Sequence, residues 1–252
     1  MDLKLQGKKV LVTGGSKGIG LGIAAAFLRE GADTAVAARG GEALQEAAAL
    51  YPGLRTFQAD VMQEAARTEL MDRCIADMGQ IDILINNAGG SAGGATMDTS
   101  LRTFEEAMQL NFFSAVHLSK LAAEDMQQRQ EGSIINISSI FGRESGGKPT
   151  YNSAKAAMIS HTKSLADELI TSGIRVNGIA PGSILHPTGN WQKRLDEDPE
   201  KIQAFVEREI PAGRFGTVEE IADTAVFLAS PRASWIVGAS LNVDGGQSNA
   251  NF

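Results

Sequence analysis

Cysteine is nearly absent. One thiol, Cys74, stands in 252 residues, so no intramolecular disulfide can form and no cysteine-based metal cluster exists. Its neighbours Leu70, Met71, Ile75 and Met78 recur at helical spacing and predict a buried, inert thiol. Basic charge is in deficit. The 23 Lys and Arg against 30 Asp and Glu leave a net charge of −7, which argues against a nucleic-acid partner, because phosphate-backbone binding rests on clustered cations. No apolar run reaches the roughly 18 residues that a membrane span needs. The first residues also lack a signal-peptide core, since Val10–Val12 ends at once in Thr13-Gly14-Gly15. The expected setting is cytoplasmic, with no membrane partner. Histidine is scarce too. His117, His161 and His186 share no metal-ligand spacing, and no metal is expected.

What is present suits one large core: 43% hydrophobic and 21% charged residues, with no composition shift, repeat or low-complexity tract. We read residues 1–252 as a single domain. Short apolar runs occur at Lys9–Val12, Thr34–Ala38, Arg55–Ala59, Ile81–Ile85, Ser133–Ile137, Arg175–Ala180 and Ser240–Val243, and these predict buried strands. Between them lie Gly20–Glu30, Glu42–Leu50, Glu64–Met78, Leu101–Arg129, Tyr151–Thr171 and Val218–Ala229, all with helical spacing. Strand–helix alternation of this kind predicts an α/β fold, a doubly wound parallel sheet of about seven strands with helices on both faces. Ligand sites are then expected at the carboxyl ends of the strands. One interval, about 183–216, has no strand but carries Trp191, Pro199, Pro211 and two short charged helical stretches, and is expected to form a substrate loop or lid.

The first strand runs into Gly14-Gly15-Ser16-Lys17-Gly18-Ile19-Gly20 and then a helix. Gly14 allows a tight turn, Gly18 lets backbone approach a diphosphate, and Gly20 permits close helix–strand packing. The helix N-terminus adds unpaired N–H groups and the positive end of a dipole. A glycine turn in this position points to a dinucleotide. Tyr151 and Lys155 sit four residues apart, on one face of a predicted helix. A nearby ammonium, together with the positive ring of an oxidised nicotinamide, is expected to favour the phenolate and to lower the tyrosine pKa, making Tyr151 a general acid/base. Ser139 lies 12 residues earlier, at the end of the fifth strand, where its hydroxyl could hold a substrate oxygen. Ser138, next to it, points to the opposite side of an extended strand, so only one of the two can face the site.

The Gly-x-x-x-Gly-x-Gly spacing, with Asn86-Asn87-Ala88-Gly89, Asn111, Ser139, Tyr151-x-x-x-Lys155 and Pro181-Gly182, resembles the short-chain dehydrogenase/reductase family over essentially the whole chain. The resemblance implies a Rossmann-type fold, a nicotinamide cofactor and hydride transfer to or from a carbonyl or alcohol carbon. It implies catalytic roles for Ser139, Tyr151 and Lys155, with Lys155 also bonding the nicotinamide ribose. Asn111 would supply a local kink and a carbonyl-bound water that links Lys155 to solvent. Ser16, Lys17, Gly18 and Ile19 would meet the cofactor at the glycine turn, and Asn87, Ala88 and Gly89 would line its groove. Asp60 would contact the adenine, with Val61 supplying backbone. Pro181, Gly182 and Ile184 would grip the carboxamide. His186 stands where the family commonly has threonine, and whether it or Thr188 takes over that contact is left open. A homotetramer or homodimer is also implied.

Charge selects NADP over NAD. The second strand ends Val36-Ala37-Ala38-Arg39, so the usual acidic position holds Ala38, while Arg39 and Lys17 can meet a 2′-phosphate. Other readings stay open: solvated surface charge for Arg39 and Lys17, a helix cap for Asp60, and a structural turn for Asn86-Asn87-Ala88-Gly89. A catalytically silent NADP-binding regulator is the competing function, disfavoured because Ser139, Tyr151 and Lys155 are all retained. The substrate, beyond a small carbonyl or alcohol, is not legible.

Overall fold

The computed structural model describes residues 1–251. Seven strands form one parallel sheet in the order β3-β2-β1-β4-β5-β6-β7. They are β1 (Lys9–Thr13), β2 (Asp33–Ala38), β3 (Arg55–Gln58), β4 (Ile83–Asn86), β5 (Gly132–Ile137), β6 (Ile174–Pro181) and β7 (Ser240–Val243). All seven expected strands are present. Nearly continuous Val, Ile, Leu and Ala runs suit strands buried on both faces.

The chain leaves β1 to one side and β4 to the other, so the strand order reverses between them. The carboxyl ends of these two strands open a crevice at the switch point. One face of the sheet is covered by α1 (Gly18–Arg29), α9 (Val218–Ala229) and α2 (Gly41–Leu50) around Phe27, Ile23, Ile221 and Val226. The other is covered by α3 (Glu64–Met78), α5 (Ser114–Arg129) and α6 (Pro149–Leu169) around Leu70, Leu118, Met126 and Leu165. Cys74 lies in this second layer, fully buried, and burial pushes its thiol up to about 12. Gly22 lets α1 lie against α9, since a Cβ there would fall 1.9 Å from Val218 Cγ1.

The expected helix Leu101–Arg129 is interrupted. It comprises α4 (Leu101–Met108), a π-helical turn over Gln109–Phe113, and α5. The turn contains Asn111, where the kink was expected. The 183–216 segment forms α7 (Asn190–Glu197) and α8 (Pro199–Glu209). Trp191 stacks on Phe205 at 4.6 Å and meets Phe215 at 5.2 Å, so the segment has an apolar centre of its own. A single bridge, Ile184 to Gly216, closes its base.

Candidate active site

The crevice is a cleft of about 820 Å³. The glycine turn forms one wall. Gly14 and Gly18 adopt φ of +64° and +57°, left-handed values that favour glycine. A Cβ on Gly14 would meet Ala88 Cα at 2.9 Å, and one on Gly20 would meet both Asn87 Nδ2 and Gly14 O at 2.4 Å. No side chain caps the first turn of α1, so its N–H groups face the cleft without an internal acceptor. Ser16, Lys17 and Ile19 complete this wall.

At the far end of the turn, Arg39 and Lys17 both line the cleft and both are exposed. Neither forms an ion pair among the described residues, and no Asp or Glu lines the cleft. Val61 and Ala59 form the floor there. Asp60 does not line it. Its Oδ1 accepts the Met62 N–H at 3.1 Å, and its main-chain carbonyl accepts the Gln63 N–H at 3.0 Å. The carboxylate therefore serves the local turn before α3, whose N-cap position is Gln63 and carries no side-chain cap.

The Asn86-Asn87-Ala88-Gly89 turn is fixed by a residue the motif does not single out. Thr13 Oγ1 accepts the N–H groups of Asn87 and Ala88, each at 3.1 Å, and Asn87 Nδ2 returns to the carbonyls of Thr13 and Gly14. Asn87 thus ties the ends of β1 and β4 together, and it lines the cleft with Ala88 and Gly89. Behind the turn, Asn86 Nδ2 bonds Asn136 Oδ1 and Ser119 Oγ, and Asn136 Nδ2 bonds Thr162 Oγ1, all at 2.9 Å. This buried network joins β4 and β5 to α5 and α6. A second unforeseen support is Arg67, whose buried guanidinium donates to the Val61 carbonyl and to His117 Nδ1.

Ser139, Tyr151 and Lys155 meet in the same cleft. Ser139 follows β5, lines the cleft with Tyr151, and accepts the Phe141 N–H at 3.2 Å. Ser138 donates to the Ile179 carbonyl at 2.9 Å and is committed to β6. Pro149 opens α6 at its first turn, where a missing N–H costs nothing, and Tyr151 follows two residues later. Lys155 Nζ lies 5.5 Å from the centre of the Tyr151 ring and donates to the Ile137 carbonyl at 2.8 Å.

In the chain by itself the electrostatics run the other way from those expected with oxidised coenzyme. Burial pushes the Tyr151 phenol above the ordinary tyrosine value, and the Ser139 hydroxyl only partly opposes this. The phenolate loses its hydration in the cleft, and that cost dominates. Burial pushes the Lys155 ammonium down to about 8. In the chain by itself, Tyr151 is a neutral proton donor.

Asn111 is fully buried and stands behind the cleft wall. Its Oδ1 accepts the Gly90 N–H, and its Nδ2 donates to the Gly90 carbonyl, both at 2.9 Å. The side chain thereby clamps the loop after β4. A Cβ on Gly89 would come within 2.7 Å of Asn111 Oδ1 and 3.3 Å of Lys155 Nζ. Pro181 and Gly182, at the end of β6, line the cleft, whereas the Ile184 side chain turns into the core. His186 lines the cleft beside Gly18, with Thr188 Oγ1 3.2 Å from its Nδ1. His161 is half-buried against Phe112, and the described residues contain no metal-ligand group.

A switch-point cleft with a glycine turn at one end and a Ser–Tyr–Lys group at the other defines a dinucleotide-dependent oxidoreductase. Comparison with known proteins agrees. The family described as Enoyl-(Acyl carrier protein) reductase matches residues 14–248. A 3-oxoacyl-(acyl-carrier-protein) reductase of Chlamydia pneumoniae is 36% identical, covering 98% of this chain and 99% of that protein. A 7alpha-hydroxysteroid dehydrogenase of Escherichia coli is 36% identical over 97% of this chain and 96% of its own. The crystal structure of L-sorbose reductase from Gluconobacter frateurii, complexed with NADPH and L-sorbose, superposes with a TM-score of 0.92 at 34% identity, covering 99% of this chain and 100% of that one. The chain belongs to the short-chain dehydrogenase/reductase family and is an oxidoreductase of ketone and alcohol groups.

Proposed function

We propose that this protein is an NADP(H)-dependent reductase or dehydrogenase of a small carbonyl or secondary alcohol, with Tyr151 as its general acid/base. The observation that carries this is the meeting of Ser139, Tyr151 and Lys155 in the cleft that begins at the glycine turn. The cradle fits a dinucleotide: Gly14, Gly18 and Gly20 leave no room for side chains, and α1 presents uncapped N–H groups. Bound NADPH would supply the hydride. Arg39 and Lys17 would hold its 2′-phosphate, a contact for which no carboxylate competes. Gly89, Pro181 and Gly182 would border its nicotinamide half.

Ser139 would hold the substrate oxygen while Tyr151 gives it a proton in reduction, or takes one in oxidation. A phenol kept neutral by burial suits the first direction. Lys155, anchored to Ile137, would keep a positive or proton-sharing group beneath the phenol. The 183–216 segment, with its Trp191–Phe205–Phe215 centre, is proposed to set substrate choice.

Tyr151→Phe tests the assignment. Turnover of a ketone panel with NADPH should fall by at least about 100-fold, while NADPH binding, read by its fluorescence, persists. Turnover that survives the substitution would remove Tyr151 from the chemistry. We further propose a homotetramer or homodimer built on α4–α5 and α6, because Leu101 and Phe113 are exposed there. Light scattering at the 26.6 kDa chain mass would refute that assembly.

A further inference from the structure

His186 has a seat that two glycines make possible. A Cβ on Gly18 would fall 2.8 Å from its Cε1, and one on Gly189 would fall 2.8 Å from its Nε2. The imidazole therefore lies between the glycine turn and the start of α7, at the end of the cleft where the uncapped N–H groups of α1 are found. Its Nδ1 is engaged with Thr188 Oγ1 at 3.2 Å, and no hydrogen-bond partner meets Nε2 among the described residues.

We propose that His186 is a proton-linked diphosphate contact: the ring takes up a proton when a dinucleotide binds, and the imidazolium holds the anion against the glycine turn. This rests on the dinucleotide reading of the cleft, and goes beyond it by assigning a titrating ligand to the phosphate end.

The charges around the ring support it. On the glycine turn the charged neighbour is Lys17, which, after burial, keeps the imidazole below its ordinary value. On the ring's own segment Thr188 is neutral, and α7 opens with the uncharged Asn190, Trp191 and Gln192. Lys193 and Arg194, further along α7, are exposed, with Arg194 stacked over Trp191 at 5.0 Å. Arg39 stands on the far rim and no carboxylate lines the cleft. In the chain by itself, nothing there compensates an imidazolium. A diphosphate brings two negative charges to the place where the ring lacks them, and opposite charge favours the protonated form. The ring's pKa then lies higher in the complex than in the free protein. Affinity for the dinucleotide should be greatest at low pH, fall as pH rises between those two values, and level off above them.

Calorimetry on the full chain tests this. NADPH and NADH are titrated at pH 6.5 in buffers of different ionisation heat, which counts the protons taken up, for wild type and His186→Gln. The difference between the two proteins removes contributions from the 2′-phosphate and from Lys155. Wild type should take up a fraction of a proton more than the variant with both coenzymes. The variant should bind roughly three- to tenfold more weakly at pH 6, with the gap closing by pH 9. His186→Thr keeps a hydrogen-bonding group without titration and should lose the extra uptake too, so it carries the comparison should the Gln variant fail to fold. Equal uptake by wild type and variants, with coenzyme still bound, overturns the role of His186 alone. Wild type that binds neither coenzyme overturns the dinucleotide reading and this contact with it.

Discussion

The buried amine of Lys155 makes stability depend on pH in a direction that can be derived. Its pKa in the folded chain is about 8, below the ordinary 10.5. Between those values the unfolded chain holds more protons than the folded one, so stability rises with pH. Denaturant unfolding of wild type and Lys155→Met should show the difference, wild type minus variant, increasing between about pH 8 and 10.5 and flat below. A fall over that range would mean that the folded protein holds the ammonium charged. Arg39 carries a second prediction. Arg39→Glu places a carboxylate where the 2′-phosphate is proposed to lie, and the ratio of kcat/KM for NADPH over NADH should drop by at least about tenfold. An unchanged ratio would assign Arg39 to solvent. Among site residues, Ser139, Tyr151 and Lys155 were legible because short spacings bring them together: one helical turn, and one strand end just before it. Thr13 and Arg67 were not. Thr13 acts across to β4, and Arg67 looks like surface charge until Val61 and His117 are folded against it.

Arg175 on β6 ends α9 from outside it. Its buried guanidinium donates to the carbonyls of Leu228 and Ala229, which the last turn of the helix leaves open, and to those of Ser230 and Ala233 in the turn that follows. Arg175→Ala should cost on the order of 3 kcal/mol in chemical denaturation. Arg175→Lys should recover only part of it, because an ammonium lacks the planar fork. A loss below about 1 kcal/mol would show that water replaces the cap. Gly22→Ala should also destabilise, by about 1–3 kcal/mol, since the added methyl meets Val218. The strands and helices themselves were legible from period and length, with instructive exceptions. β4 begins at Ile83 instead of Ile81, because the Asp82 carboxylate accepts the Lys9 N–H at 2.8 Å in place of a ladder partner. The single helix expected over Leu101–Arg129 carries a π turn, and helical periodicity does not reveal one extra residue in the winding.

At the scale of the molecule, Cys74 reports on the layer that α3, α5 and α6 form against the sheet. The thiol is fully buried and held at about 12, so labelling by a thiol reagent should follow global unfolding, with a rate that tracks stability across variants. Rapid labelling under native conditions would reveal local opening of α3. The parallel sheet has a further consequence. Because every strand runs the same way, Gly14, Arg39, Asn87, Ser139 and Pro181 are delivered to one rim by five different strands, across more than half of the sequence. No contiguous stretch of polypeptide holds both the glycine turn and the Ser139–Tyr151–Lys155 group. During refolding, coenzyme fluorescence and turnover should therefore emerge together and last, as a signal that switches on only when the final crossover has docked.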